Sequence, residues 1–210
     1  MTNSGPRWQR LEPDQRRDEI LRCAQRLFAQ QPYGRVSTTE VAKEAGVTRG
    51  LVNHYFGTKR DLYLAVIREA AKVPQTPLTF APGSTLAERV ELAVTWFETS
   101  LSGASSEWIN AGGAQALGRD PELDHILRTA EEAAVDRVLE SVGLTDVGSD
   151  DVQVRATIRA YGQLARAAGR EWQRKKTLSR EQFHHLLTST LLTIVEDVLP
   201  RHASAHVPRD

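Results

Sequence analysis

Between positions 48 and 54 the chain sets Thr48, Arg49, Asn53 and His54 around Gly50, a position with no side chain. On one face of a helix this set suits the edges of DNA bases. An arginine such as Arg49 can make a bidentate contact to guanine, worth ~1–3 kcal/mol in discrimination. Gly50 removes a side chain where the helix nears the bases. Leu51 and Val52 divide between anchoring the helix and touching DNA, and His54 reads equally as a phosphate contact or a solvated surface residue.

Other chemistries lack a comparable constellation. His125 has Glu122 and Asp124 nearby, and His184 and His185 are adjacent, so their side chains diverge on a helix. The sequence contains neither H-E-x-x-H nor G-x-S-x-G, and Gly112-Gly113 makes no phosphate loop. The single cysteine, Cys23, makes no internal disulfide and no thiolate metal cluster; it reads as a buried thiol or a redox sensor. The expectation is a protein that is not an enzyme, with no metal site and no cofactor.

The elements that must position the DNA-facing set are spelled out around it, in STTEVAKEAGVTRGLVNHYFGTK from Ser37 to Lys59. Ser37 with Glu40 is a capping box that starts one helix, and Val41, Ala42 and Ala45 give it a small apolar face. Gly46 stands where the chain must turn with positive φ, Val47 plugs toward the core, and Thr48 caps a second helix from Arg49 to about Phe56. Two short helices on a tight glycine turn predict a helix-turn-helix, whose second helix enters the major groove. Thr58 and Asp61 then open a longer helix, Lys59 to about Val73, with Leu62, Tyr63, Val66 and Ile67 buried; Tyr63 could face either the domain core or the rest of the chain.

With its flanking helices, this block resembles the TetR family of bacterial transcriptional repressors. The matching residues are Gly34, Thr39, Val41, Ala42, Ala45, Gly46, Val47, Gly50, Tyr55, Phe56, Lys59, Leu62 and Val66, within a region of about 14–70. The resemblance implies that Thr39, Tyr55 and Lys59 meet backbone phosphates, with Thr38 beside them at the start of the preceding helix. It also implies a ligand-binding body and a homodimer made by the last two helices, here 151–176 and 179–199. Ile158, Ala165, Leu187, Leu191 and Ile194 are candidates for that dimer contact or for the chain's own core.

Charge agrees with a DNA-facing front. Residues 1–72 hold 13 Lys and Arg against 8 Asp and Glu, whereas the remainder holds 14 against 19, so a front end of +5 sits on a body of −5. No apolar run approaches the length of a membrane span, and the first residues lack the apolar region of a signal peptide, so a cytoplasmic protein with no membrane partner is expected. In order, the chain predicts a flexible arm, 1–13, with Arg7, Trp8 and Arg10; a helix-turn-helix domain, 14–58; a connecting helix, 59–73; a helical effector-binding and dimerisation domain, 74–200; and a flexible tail, 201–210. The fold class is all-α, with about nine helices, one of them short and spanning Glu107 to Leu117.

For the body, Trp96, Trp108, Asn110, Leu117, Leu127, Tyr161 and Trp172 are candidates to line a pocket for an apolar or aromatic effector, or to be ordinary core. The expected function is a repressor released by that effector from an operator of two-fold-symmetric double-stranded DNA. Two alternatives remain open: a DNA-binding regulator that is constitutive or controlled by a protein partner, and a helical small-molecule-binding protein or enzyme with a vestigial motif.

Overall fold

The computed structural model describes residues 13–72, 79–101, 117–145 and 151–204. Among these residues every regular element is helical: α1 (Pro13–Gln30), α2 (Thr38–Glu44), α3 (Arg49–Phe56), α4 (Lys59–Ala70), α5 (Leu86–Leu101), α6 (Pro121–Val142), α7 (Val152–Arg170) and α8 (Arg180–Thr193). A π-helical turn, Glu171–Lys175, prolongs α7, and another, Ile194–Val198, carries α8 into Leu199–Ser204. The arm at 1–12, most of the short helix expected over 107–117, and the end of the tail lie outside the described residues.

Local side chains start the helices. Ser37 Oγ accepts from the Glu40 amide at 3.1 Å while the Glu40 carboxylate accepts from the Ser37 amide at 2.8 Å. Thr58 with Asp61 and Ser179 with Gln182 repeat the reciprocal pattern. Thr85 and Glu88 make a further such pair at the start of α5, with the same S/T-x-x-E spacing, unread in the sequence. At the other end of the chain the helix runs past Pro200, where the sequence predicts a stop. The proline ring cannot sit over a regular α-helical carbonyl four residues back, and the wide π turn immediately before it opens that space.

Two hydrophobic cores form. The first joins α1 (Ile20, Cys23, Ala24, Phe28), α2 (Val41, Ala42), α3 (Val52, Phe56) and α4 (Leu62, Tyr63, Val66, Ile67), and it also takes in Leu123 and Ile126 of α6. Tyr63 belongs here, edge-on to Phe28 at 4.7 Å and to Tyr33 at 4.8 Å. The second joins α5, the C-terminal half of α6 (Val135, Leu139, Val142), α7 and α8. So α6 is a wall of both cores. Its first turns bury against the head and its last turns against the body.

The second core also sorts the candidate dimer residues. Ile158, Ala165, Leu187 and Leu191 are buried inside the single chain and Ile194 packs against the same cluster, because α5 and α6 cover that face of α7 and α8.

Leu123 tests the shared wall. Truncation to alanine is expected to cost ~2–5 kcal/mol, read by chemical denaturation. Hydrogen exchange should then quicken in α1 and α4 as well as in α6; faster exchange confined to α6 would mean the two cores are independent.

Candidate nucleic-acid interface

The turn between α2 and α3 is closed by the backbone. Gly46 sits at φ 64°, a left-handed conformation that disfavours a Cβ, and the Val47 amide donates back to the Ala42 carbonyl at 2.9 Å. Val47 thereby packs against the first core. Thr48 then accepts from the Leu51 amide at 3.2 Å and caps α3.

α3 is pinned by its inner face. Val52 and Phe56 are buried, and Arg17 lies with its guanidinium 5.0 Å over the Phe56 ring. Val52 therefore anchors the helix rather than touching DNA, while Leu51 is half-buried. Thr48, Arg49, Gly50, Asn53 and His54 are all exposed, so the structure gathers the front set expected from the sequence onto one open surface. Around it, Thr39 is exposed, and Thr38, Tyr55 and Lys59 are half-buried. Lys59 Nζ stands 4.2 Å from the centre of the Tyr33 ring, which braces the ammonium at the start of α4.

The acids near this surface are engaged. Glu40 and Asp61 serve as reciprocal caps, and Glu44 pairs with Arg26 at 3.4 Å. The hydroxyl and amide of Thr58 hold the Asp61 carboxyl below its ordinary pKa. Such tied carboxylates oppose an approaching polyanion less than free ones would, because their charge is partly spent on nearby amides and cations.

Residues 20–66 match the family described as bacterial regulatory proteins, tetR family. Over that stretch the chain is similar to the TetR family. Among curated relatives, the transcriptional repressor AcnR of Corynebacterium glutamicum is 38% identical over 60 residues, 29% of this chain and 32% of that protein. The transcriptional activator FasR of Mycolicibacterium smegmatis is 36% identical over 62 residues, 30% of this chain and 28% of that one. The match thus spans about a third of the length of these relatives. Beyond it the likeness is one of fold: a TetR-family regulator from Streptomyces coelicolor superposes with TM-score 0.68 at 19% identity, covering 95% of this chain and 93% of the other.

The head is tied to the body by two arginines of α4 that the sequence did not single out. Arg60, the second residue of α4, donates from Nε and Nη2 to the two oxygens of Asp120, each at 2.8 Å, and from Nη1 to Glu122 at 3.1 Å. Arg68, two turns on, reaches the other Glu122 oxygen at 3.3 Å. Asp120 is also the N-cap of α6, accepting from the amides of Glu122 and Leu123. The Arg60 guanidinium and these amides hold its carboxyl below the usual range. Arg60 and Asp120 are 60 positions apart, so no local spacing could reveal the pair.

Among the described residues, the candidate effector-lining side chains Leu117, Leu127, Tyr161 and Trp172 are divided between the two cores. Leu117 and Leu127 are half-buried against the first core. Tyr161 is buried in the second, its hydroxyl donating to the Leu187 carbonyl at 3.2 Å, and Trp172 stacks on Phe183 at 4.8 Å. Trp96 is half-buried beneath the Arg137 guanidinium at 5.1 Å. Trp108 and Asn110 lie outside the described residues. Among the described residues no helix is long and apolar enough to cross a membrane, and no group of three or more His, Cys, Asp or Glu is arranged to hold a metal ion.

Gly50 separates folding from recognition. A Cβ built there meets only Thr48 Oγ1 at 3.9 Å, an ordinary contact, and the backbone is helical. Gly50→Ala is therefore expected to raise stability by ~0.5–1 kcal/mol while weakening DNA binding, if the bases approach this position. Melting and DNA titration of the same variant check it; unchanged DNA affinity would mean that the nucleic acid does not come close at Gly50.

Proposed function

We propose that this chain is a DNA-binding transcriptional regulator that acts as a homodimer on a two-fold-symmetric operator and answers to a small, largely apolar or aromatic effector. The observation that carries the reading is the exposed face of α3, with Thr48, Arg49, Gly50, Asn53 and His54 held outward by the burial of Val52 and Phe56. In the dimer two such faces would stand about one turn of DNA apart, ~34–36 Å. Relatives that share the head include a repressor and an activator by name, and repression is the reading argued here.

The effector would act by preferring one arrangement of the body over another. What supports a route to the DNA is the position of α6, a wall of both cores, and the Arg60–Asp120 pair at its start. A shift of α6 would carry α4 with it and alter the spacing of the two α3 helices.

Selection of bound sequences from a random duplex pool tests the function, and a near-symmetric site is the expected result. Lys59→Ala should then weaken all duplexes about equally and lower the salt slope by roughly 1. Arg49→Ala should weaken the selected site more than random DNA, since a base contact carries sequence and a phosphate contact does not. Enrichment of single, asymmetric sequences would rule out the two-fold arrangement, and equal loss on both duplexes would make Arg49 a phosphate contact.

Burial also redirects the test of dimerisation. Leu191 is 1% exposed and Leu186 is 38% exposed on the same helix. Ser189 and Thr193 of α8 and Ala156 and Ala160 of α7 are exposed as well, small residues that would let a second copy approach closely. Leu191→Glu is expected to unfold the protein, because it places a charge inside the second core. Leu186→Glu is expected to leave helicity intact and yield monomer. Sedimentation with circular dichroism distinguishes the two; a folded dimer from Leu186→Glu would put the contact on another face.

A further inference from the structure

Along the seam between α5 and α8 the packing turns from apolar to charged. Glu98 of α5 is buried, 2% exposed. Its Oε2 accepts from Arg180 Nε at 3.1 Å and Nη2 at 3.0 Å, and its Oε1 lies 2.9 Å from His184 Nδ1. The other ring nitrogen, His184 Nε2, lies 2.5 Å from Oε2 of Glu91, two turns earlier on α5. One imidazole of α8 thus faces a carboxylate oxygen with each nitrogen, and both carboxylates come from the same neighbouring helix. The remaining residues lining this cleft, about 530 Å³ in volume, are Thr95 on α5 and Glu181, His185 and Thr188 on α8. Thr188 Oγ1 is buried and has no hydrogen-bond partner among the described residues.

An ionised carboxylate only accepts, and a neutral imidazole donates from one nitrogen only. A neutral His184 would therefore turn a ring lone pair toward the oxygen of either Glu91 or Glu98. The cation donates at both ends and satisfies the whole arrangement. Glu98 is fixed by burial and by the Arg180 fork, whereas the side chain of Glu91 is 54% exposed and free to turn into water. The Glu91 arm is consequently the one that yields.

We propose that His184 is a proton-operated strap, fastening α5 to α8 while its imidazole is cationic and releasing the Glu91 arm when it loses a proton. The groups facing it are Glu91 and Glu98 from α5, with Arg180 one turn away on α8. Burial alone would push the imidazole pKa down from 6.5, but the hydrogen bonds to Glu91 and Glu98 and their charge outweigh it, and the net shift is upward. With the folded value raised, the stabilisation is fully present below the unfolded value of about 6.5. It is lost as pH rises through the higher folded value.

The strap is tested on the full chain by following histidine ring resonances against pH, with His184 assigned from the signal missing in His184→Gln. Its midpoint is expected above the ordinary imidazole value of about 6.5, and Glu91→Gln should move it down. The melting temperature of the parent should exceed that of His184→Gln most at pH 6, and the gap should close at alkaline pH. A midpoint at or below the ordinary value, or one that Glu91→Gln leaves unmoved, would overturn the strap; so would a melting gap that is the same at both pH values. If His184→Gln does not fold, the signal is assigned by its through-space contacts to α5, and the midpoint in parent and Glu91→Gln decides alone.

Discussion

One carboxylate holds the two halves of this molecule in register. Asp120 caps α6 with Oδ1, which accepts from the amides of Glu122 and Leu123, and it receives the fork of Arg60 on Oδ1 and Oδ2 together. A bidentate guanidinium contact fixes orientation as well as distance. The start of α4 is therefore set against the start of α6 in direction, not just in proximity. The apolar contacts beneath, Leu123 and Ile126 among the residues of α1 to α4, exclude water from the same joint. Displacing α6 by a fraction of a turn would have to break an ion pair, a helix cap and part of a core together. Such joints resist small deformation and then move as a unit, which is the property that the proposed coupling of body to head would use.

The head has a different economy. Its helices are too short to persist alone, so caps and burial define them. Ser37, Thr48 and Thr58 each accept an amide at a helix start, and Val52 and Phe56 hold α3 by one side. The outer side of α3 is then free of structural duty. Glycine at position 50 and polar residues at 49, 53 and 54 contribute little to the core there, so their identities can be given over to contact.

How far the sequence discloses this depends on how far apart the partners lie. Capping boxes span three residues, so Ser37–Glu40, Thr58–Asp61 and Ser179–Gln182 were legible, and Thr85–Glu88 could have been read by the same rule. The glycine turn and the inner stripes of α1 and α4 were legible because periodicity is local. The outward front of α3 followed from them. The pairing of Arg60 with Asp120 was not legible, nor that of Glu98 with Arg180 and His184, 82 and 86 positions away, since Asp120 beside Pro121 reads only as a helix cap and Glu98 alone as a solvated residue. For the same reason Tyr161, Leu127 and Trp172 could not be divided between pocket and core: an apolar residue shows that it will be buried but not what buries it. Pro200 misled because a proline stops a regular helix, and a π turn is a tertiary accommodation that no residue type announces.

The body uses charge where the head uses shape. Replacing Glu98, Arg180 and His184 by apolar residues of similar volume would cost little and could even stabilise, because burying a carboxylate forfeits its hydration. An apolar seam, however, tolerates sliding. Two helices whose only contacts are leucines can shift by a turn with modest loss. A buried carboxylate that needs both Arg180 and His184 cannot, since a shift in either direction leaves it without donors. That constraint fixes how far α8 advances along α5 and hence where Leu186, Ser189 and Thr193 stand on the opposite side of α8. In the dimer proposed above, a surface that meets a second copy of itself would need that exactness more than stability, since an isologous contact repeats any error twice. The proton on His184 and the geometry of the outer face are thus linked through one helix, α8, whose inner side is charged against α5 and whose outer side carries Leu186 beside the small hydroxyl residues Ser189 and Thr193.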